Sequence, residues 1–234
     1  MKRAFVFVAS AVAVASSADA GILGFAAFSR TASNGNVIVD LAVVTERASD
    51  RLLNVFNTNT SSVFRQQAGT ATRGFKPDAA SSTRSNITDS FCTIGVEGGA
   101  PYYGEYYASG ATGADGGFST GWTTASTVIP ANAGWFSSPP TLPDSLSESL
   151  ATFTGTRVNS SAAAAGGSFG VWVGHWVFAP GTTSAIISMT ASLKDGVSGA
   201  TVTGAIQGFE QLIPAPGAFA LLGIAGVASR RRRV

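Results

Sequence analysis

The chain has 234 residues, of which 15 are Lys or Arg, 13 are Asp or Glu and one is His, and it holds 28 glycines against a charged fraction of only 12%. Six of the cations (Lys2, Arg3, Arg230, Arg231, Arg232, Arg233) and one of the acids (Asp19) sit in the terminal segments, so the body between them carries nine cations, twelve acids and a net charge of −3. That balance, with arginines scattered from Arg30 to Arg157, excludes the clustered basic surface of a nucleic-acid binder. A lone Cys92 excludes a disulfide-stapled scaffold.

Met1-Lys2-Arg3 supplies a positive n-region and Ala4 to Ala15 an apolar stretch of about 12 residues, within the range of a secretory leader. Ala18-Asp19-Ala20 then reads as the small-residue cleavage site of signal peptidase, leaving Gly21 as the new terminus. Residues 1–20 are thus expected to be a helical signal peptide, and residues 21–211 one folded domain, long enough for a single core.

Few charges and abundant Gly, Ser and Thr point to short strands and turns rather than helices. Val37, Val39, Leu41 and Val43 alternate with Asn36, Asp40 and Ala42, so Asn36 to Val44 reads as a half-buried strand. Leu52 to Phe56 is a shorter candidate beyond a polar loop. Phe91 to Gly95 and Tyr102 to Tyr107 follow, separated by Gly98-Gly99-Ala100-Pro101. From Ser109 to Pro143 the composition predicts long loops packed by their own aromatics, with one strand around Thr123 to Ile129. Asp144 can cap a brief helix that has Glu148 in its first turn.

Phe169 to Phe178 alternates Phe169, Val171, Val173, His175 and Val177 with Trp172, Trp176 and Phe178, the pattern of a central strand covered on both faces. Ser184 to Leu193 and Gly199 to Phe209 are two more strands, joined at Asp195-Gly196, a turn signal. Three late strands with short connections predict an antiparallel meander. The fold expected is an all-β, single antiparallel sandwich of jelly-roll type, flanked by the leader helix and a C-terminal hydrophobic helix.

The residues offer little chemistry. His175 is the one histidine and Cys92 the one thiol, with no His-x-His or Cys-x-x-Cys spacing, so neither a metal nor any other cofactor is expected and His175 reads as a structurally satisfied side chain. Asp89, Glu97, Glu105, Asp115 and Asp144 are acids that a glycoside-acting enzyme could pair across a groove. The segment Gly110 to Gly117 lacks the alternating ligands of a calcium loop. Tyr103 and Tyr107, within Tyr102-Tyr103-Gly104-Glu105-Tyr106-Tyr107, are the candidates for glycan contact, because tyrosine offers sugars a flat face and a hydroxyl.

Residues 212–234 form a different kind of segment. A Pro214-Ala215-Pro216-Gly217 breaker precedes an apolar run from Ala218 to Ala228, which no polar residue interrupts, and Arg230, Arg231, Arg232 and Arg233 close it. As a helix, the roughly 17 residues from Ile213 to Ser229 reach only about 25 Å, against a hydrocarbon core of about 30 Å. The span is marginal, and the arginines act as a membrane stop that stays on the cytoplasmic side.

This tripartite layout resembles the PEP-CTERM sorting signal of bacterial envelope proteins, in the Pro-Ala-Pro-Gly form similar to planctomycete examples; Ala215 stands where the commonest motif has Glu. The resemblance implies handling by an exosortase, a transpeptidase-like membrane enzyme that recognises the tripeptide and removes or exchanges the tail. More loosely, Leu53-Asn54-Val55-Phe56-Asn57, Asp89 to Gly95 and Gly134 to Pro140 resemble uncharacterised domains that precede such tails. The function expected is that of an exported, non-enzymatic envelope or matrix protein. Its partners would be signal peptidase, the sorting enzyme, the membrane for the tail, and extracellular polysaccharide. A glycan-binding module and a glycoside-acting enzyme are the alternatives. N-terminal sequencing of the exported protein is expected to begin at Gly21, and retention of Met1 to Ala20 would contradict a cleaved leader.

Overall fold

A computed structural model describes residues 21–66, 75, 83–95, 106–108, 127–137, 146–158, 166–205 and 210–211. Residues 1–20 and 212–234, where a leader helix and a C-terminal hydrophobic helix are expected, lie outside them. The described strands, in chain order, are β1 (Ile22–Thr31), β2 (Val37–Thr45), β3 (Arg51–Thr60), β4 (Phe91–Cys92), β5 (Tyr106–Ala108), β6 (Ala133–Ser137), β7 (Glu148–Ser149), β8 (Thr156–Val158), β9 (Phe169–Phe178), β10 (Ile186–Lys194), β11 (Thr201–Ala205) and β12 (Glu210–Gln211). They form two antiparallel sheets. One runs β4-β9-β2-β1-β8 with β7 also on β9, and the other runs β11-β10-β3-β6-β5 with β12 also on β10. Phe25, Val39, Leu41, Val43, Val171, Trp176 and Phe178 from the first sheet share one buried cluster with Leu52, Val55, Trp135, Ile187, Met189 and Ala191 from the second.

The all-β sandwich expected from the sequence is present, but its winding is not that of a jelly roll. In a jelly roll two antiparallel strands roll up as one ribbon, so where one strand leaves a sheet its neighbour enters it. Here β2 and β9 are neighbours and both lead into the second sheet, to β3 and β10, which are neighbours again. The order β1-β2-β9-β4 facing β3-β10-β11 is the A-B-E-D against C-F-G order of an immunoglobulin-type sandwich. Strands β5 to β8 are inserted between the fourth and fifth members of that order. For the same reason β9, β10 and β11 are no meander: β10 and β11 pair, whereas β9 lies in the other sheet.

The first sheet is buried on both faces. Ala26, Phe28, Ala42, Val44 and Trp172 point away from the inter-sheet core into a second cluster with Phe91, Leu150 and Phe153. Hence β2, expected to be half-buried, is buried along nearly its whole length. The alternation read in β9 also breaks. Leu41 pairs with Gly174 and Ala42 with Trp172, so Val173 is an extra residue, and Trp176 and Phe178 join Val171 and Val173 on the inner face. A bulge of one residue moves every later side chain to the opposite face. His175 therefore shares the outer face with Trp172, not with Val171 and Val173.

Three further expectations change. Residues 133–137, placed among loops, are strand β6, and the described residues 127–129 of the strand expected at Thr123 to Ile129 are not strand. Around Glu148 there is a short strand followed by a 3-10 turn, Leu150–Thr152, capped by Ser149, whose side chain accepts from Ala151 N; Asp144, expected as a cap, lies outside the described residues. Strand β1, which the sequence pattern did not mark, pairs with β2 over its length. Cys92 is only 2% exposed, and burial pushes its thiol pKa well up. It behaves as a small apolar core residue.

The loop after β10 crosses the loop after β2 at Gly196, where a Cβ would run into the Ser49 carbonyl oxygen. The Gly196 N–H donates to Asp50 Oδ1 at 3.2 Å, tying the two loops. Gly196→Ala must push these backbones away from each other, so it is expected to cost about 1–3 kcal/mol, read as a lower urea midpoint. Gly166→Ala, where nothing lies within 4 Å, should leave the midpoint unchanged.

Candidate functional site

The polar groups that converge most tightly lie under the outer face of the first sheet. Asp40 is in the middle of β2 with its carboxylate fully buried. Its register partner on β9 is His175, also fully buried, and Nδ1 of the ring stands 2.6 Å from Asp40 Oδ1. The other carboxylate oxygen accepts from the Arg30 guanidinium of β1. Three neighbouring strands thus each contribute one member of a cation-anion-imidazole row.

A covering segment, residues 83–95, closes this row from outside. His175 Nε2 lies 2.9 Å from the Asn86 carbonyl oxygen, and Arg30 also donates to the Arg84 carbonyl. The Asn86 side chain accepts from Thr88 N at 2.8 Å and Asp89 N at 2.9 Å, which bends the segment so that its carbonyl faces the ring. Phe91 of β4 stacks on His175 with 5.0 Å between ring centroids. The Arg84 guanidinium ion-pairs with Glu148 and lies 4.1 Å from the Phe153 ring centroid and 4.8 Å from that of Trp172. Glu148 in turn accepts from Thr152 Oγ1 at 2.9 Å. Guanidinium over aromatic faces is a favourable arrangement that also excludes water from the ion pairs beneath.

The partners of His175 determine what it can do. Both ring nitrogens are already engaged, Nδ1 with the Asp40 carboxylate and Nε2 with the Asn86 carbonyl oxygen. Neither nitrogen is open to a substrate, and the ring has no exposed edge. General-base or nucleophile-activating chemistry needs a reachable nitrogen within hydrogen-bond distance of the reacting proton. His175 lacks one and acts as a clamp between β9, β2 and the covering segment. Among the described residues, no three His, Cys, Asp or Glu side chains form a metal-binding group.

Of the residues singled out from the sequence, His175 lies in this cluster. Ala18, Ala20, Pro214, Ala215, Pro216, Gly217, Arg230, Arg231, Arg232, Arg233 and Tyr103 lie outside the described residues. Tyr107 lies on β5 at one edge of the second sheet, opposite Phe136. Of the acids weighed as a catalytic pair, Asp89 is buried in the covering segment, while Glu97, Glu105, Asp115 and Asp144 fall outside the described residues. Sequence reasoning passed over Asp40, Arg30, Arg84 and Glu148. The available signal was Asp40, the one charged residue in the run Val37 to Val44.

No protein-family model, curated protein or solved structure matches the chain.

A buried ion cluster is more sensitive to loss of one member than its net contribution suggests, because the remaining charges stay desolvated. Asp40→Ala leaves Arg30 and His175 facing each other without their shared anion and is expected to cost about 3–5 kcal/mol in chemical denaturation. Glu148→Ala, whose side chain is 31% exposed at the rim, should cost about 1 kcal/mol or less. Equal losses for the two variants would contradict the central place given to Asp40.

Proposed function

We propose that this chain is an exported cell-envelope or extracellular-matrix protein whose β domain serves a structural or interaction role and whose tail is processed by an exosortase-like membrane enzyme. The observation that carries the reading is the order of segments: a leader ending at Ala18-Asp19-Ala20, a β body, then Pro214-Ala215-Pro216-Gly217, an apolar run and Arg230 to Arg233. In this reading the leader and the tail are each helical while in the membrane. The first strand begins at Ile22, two residues past the leader site, and β12 ends at Gln211, three residues before Pro214. The folded body therefore fits between the two addresses with almost no spare chain.

A non-enzymatic role is supported by the use the body makes of its reactive side chains. The one histidine is consumed as a clamp, and the one thiol is buried with its pKa raised. A strand order shared with immunoglobulin-type sandwiches points to architecture alone, since such scaffolds carry many functions.

The test is intact-mass analysis of surface-associated protein in an exosortase-bearing host. Wild-type protein should lack most of residues 213–234. Replacing Pro214 and Pro216 by Ala should leave membrane insertion intact and block processing, so that the full-mass form accumulates. Replacing the four arginines by Ser should reduce membrane retention, because a marginal span would no longer end in a charge barrier. If wild-type and proline-variant proteins share one mass that retains the tail, the segment is only an anchor and the sorting reading fails.

A further inference from the structure

The turn between β1 and β2 and the middle of the covering segment hold one another. Asn34 in the turn donates from Nδ2 to the Ile87 carbonyl oxygen at 3.2 Å, and Asn36 donates from its own Nδ2 to the same oxygen at 2.7 Å. Asn36 is 3% exposed, and its Oδ1 accepts from Arg65 Nη1 at 2.9 Å. The preceding carbonyl, that of Asn86, faces His175 Nε2. Two successive carbonyls therefore fasten the covering segment, one to the imidazole on β9 and one to the turn after β1.

That turn contains the only Asn-Gly step of the chain, Asn34-Gly35. An asparagine followed by glycine is prone to lose its side-chain amide, because without a Cβ the following backbone nitrogen reaches the side-chain carbonyl carbon unhindered. The local geometry favours half of that reaction. Asn34 is exposed to water, and its Oδ1 accepts from Asn36 N at 3.1 Å, a donor placed where the oxyanion of the attack would form. The other half is held back. Gly35, at a φ of +82°, donates its N–H to the Ala32 carbonyl at 2.9 Å, so the attacking nitrogen is engaged until the turn opens.

We infer that Asn34 is a site of spontaneous deamidation and that its conversion loosens the covering segment. The Gly35 nitrogen adds to Asn34 Cγ, the Cγ–Nδ2 bond breaks, and ammonia leaves with the proton that Gly35 gives up. One water then opens the five-membered imide. Opening at Cγ yields aspartate, and opening at the main-chain carbonyl yields isoaspartate, whose backbone is longer by a methylene. Either product loses the Nδ2 donor and gains a carboxylate. Carboxylate and Ile87 carbonyl are both acceptors, so the contact at 3.2 Å becomes repulsive. In isoaspartate the extra methylene also disturbs the turn that Ala32 N closes on the Asn36 carbonyl at 2.8 Å. The inference stands apart from the sorting proposal, since it involves neither leader nor tail.

The experiment ages the purified full chain at mildly acidic and mildly alkaline pH, then maps its peptides by mass and measures hydrogen exchange. Conversion at Asn34 should exceed that at every other asparagine and should rise with pH, because the attacking nitrogen must lose its proton. It should run about tenfold slower than in a synthetic peptide of residues 31–37, the effect of one hydrogen bond that must open first. In the aged protein and in freshly made Asn34→Asp, the amides of Thr88, Asp89 and Ser90 should exchange about fivefold faster than in unaged wild type, the size of one hydrogen bond lost. Those of β2 and β9 should keep their rates. Asn34→Gln, which retains an amide donor and closes an imide far less readily, should neither age nor loosen the cover. An Asn34 that stays intact while the peptide converts fully would overturn the proposal, as would unchanged exchange in both the aged protein and Asn34→Asp. Equally fast exchange in fresh Asn34→Gln would overturn the role given to the carboxylate.

Discussion

The fully buried carboxylate of Asp40 is the constraint on which the first sheet depends. Its strand, Val37 to Thr45, is apolar toward both faces, and a strand of that kind chooses its register poorly, because sliding it by one residue exchanges one set of buried aliphatics for another. Asp40 removes the ambiguity. A slip of one position would drive the carboxylate into the inter-sheet core among Val39, Leu41, Phe25 and Trp176, where an unpaired ion costs several kcal/mol. In the observed register it faces His175 on one side and reaches Arg30 on the other.

The same cluster explains why the outer face of that sheet is covered at all. Trp172 and Phe28 would form an apolar patch if exposed, and Asp40 with His175 would then be open to water. Residues 83–95 and 148–153 close over both. They use the Asn86 carbonyl on the imidazole and the Arg84 guanidinium on Glu148 and the aromatic faces. Packing and ion pairing are therefore one arrangement here. The cover keeps the ions dry, and the ions fix where the cover sits.

This also marks what could be read from the chain. The long strands around Val39, Val173 and Ile187 announce themselves by alternation, and so the all-β class was legible. Strand β1 was not, because Phe25, Ala26, Ala27 and Phe28 are apolar toward both faces and blend with the apolar N-terminal stretch that precedes them. The bulge at Val173 was invisible too, since nothing in a run of β-branched and aromatic residues marks which one lies outside the ladder. That one residue decides which face His175 occupies. The winding of the sheets depends on partners far apart in sequence: His175 lies 135 positions from Asp40 and 89 from Asn86. Local pattern could identify His175 as a satisfied histidine. It could not supply the residues that satisfy it.

On the proposed sorting reading, the junction between body and tail sets a mechanical condition on the reaction. Strand β12 is held to β10 through Ile186 opposite Gln211 and Ile187 opposite Glu210, and only Leu212 and Ile213 separate it from Pro214. At about 3.3–3.6 Å per residue, two residues reach roughly 7 Å. A membrane enzyme engaging the tripeptide must therefore work almost against the folded sandwich, or peel β12 from its neighbour to gain chain. Two paired residues at the end of a sheet are the sort of element that opens locally at low cost compared with global unfolding. On that reading a short terminal strand would reconcile a stable body with an accessible tripeptide, because release of β12 leaves the pairing of β10 with β3 and β11 in place.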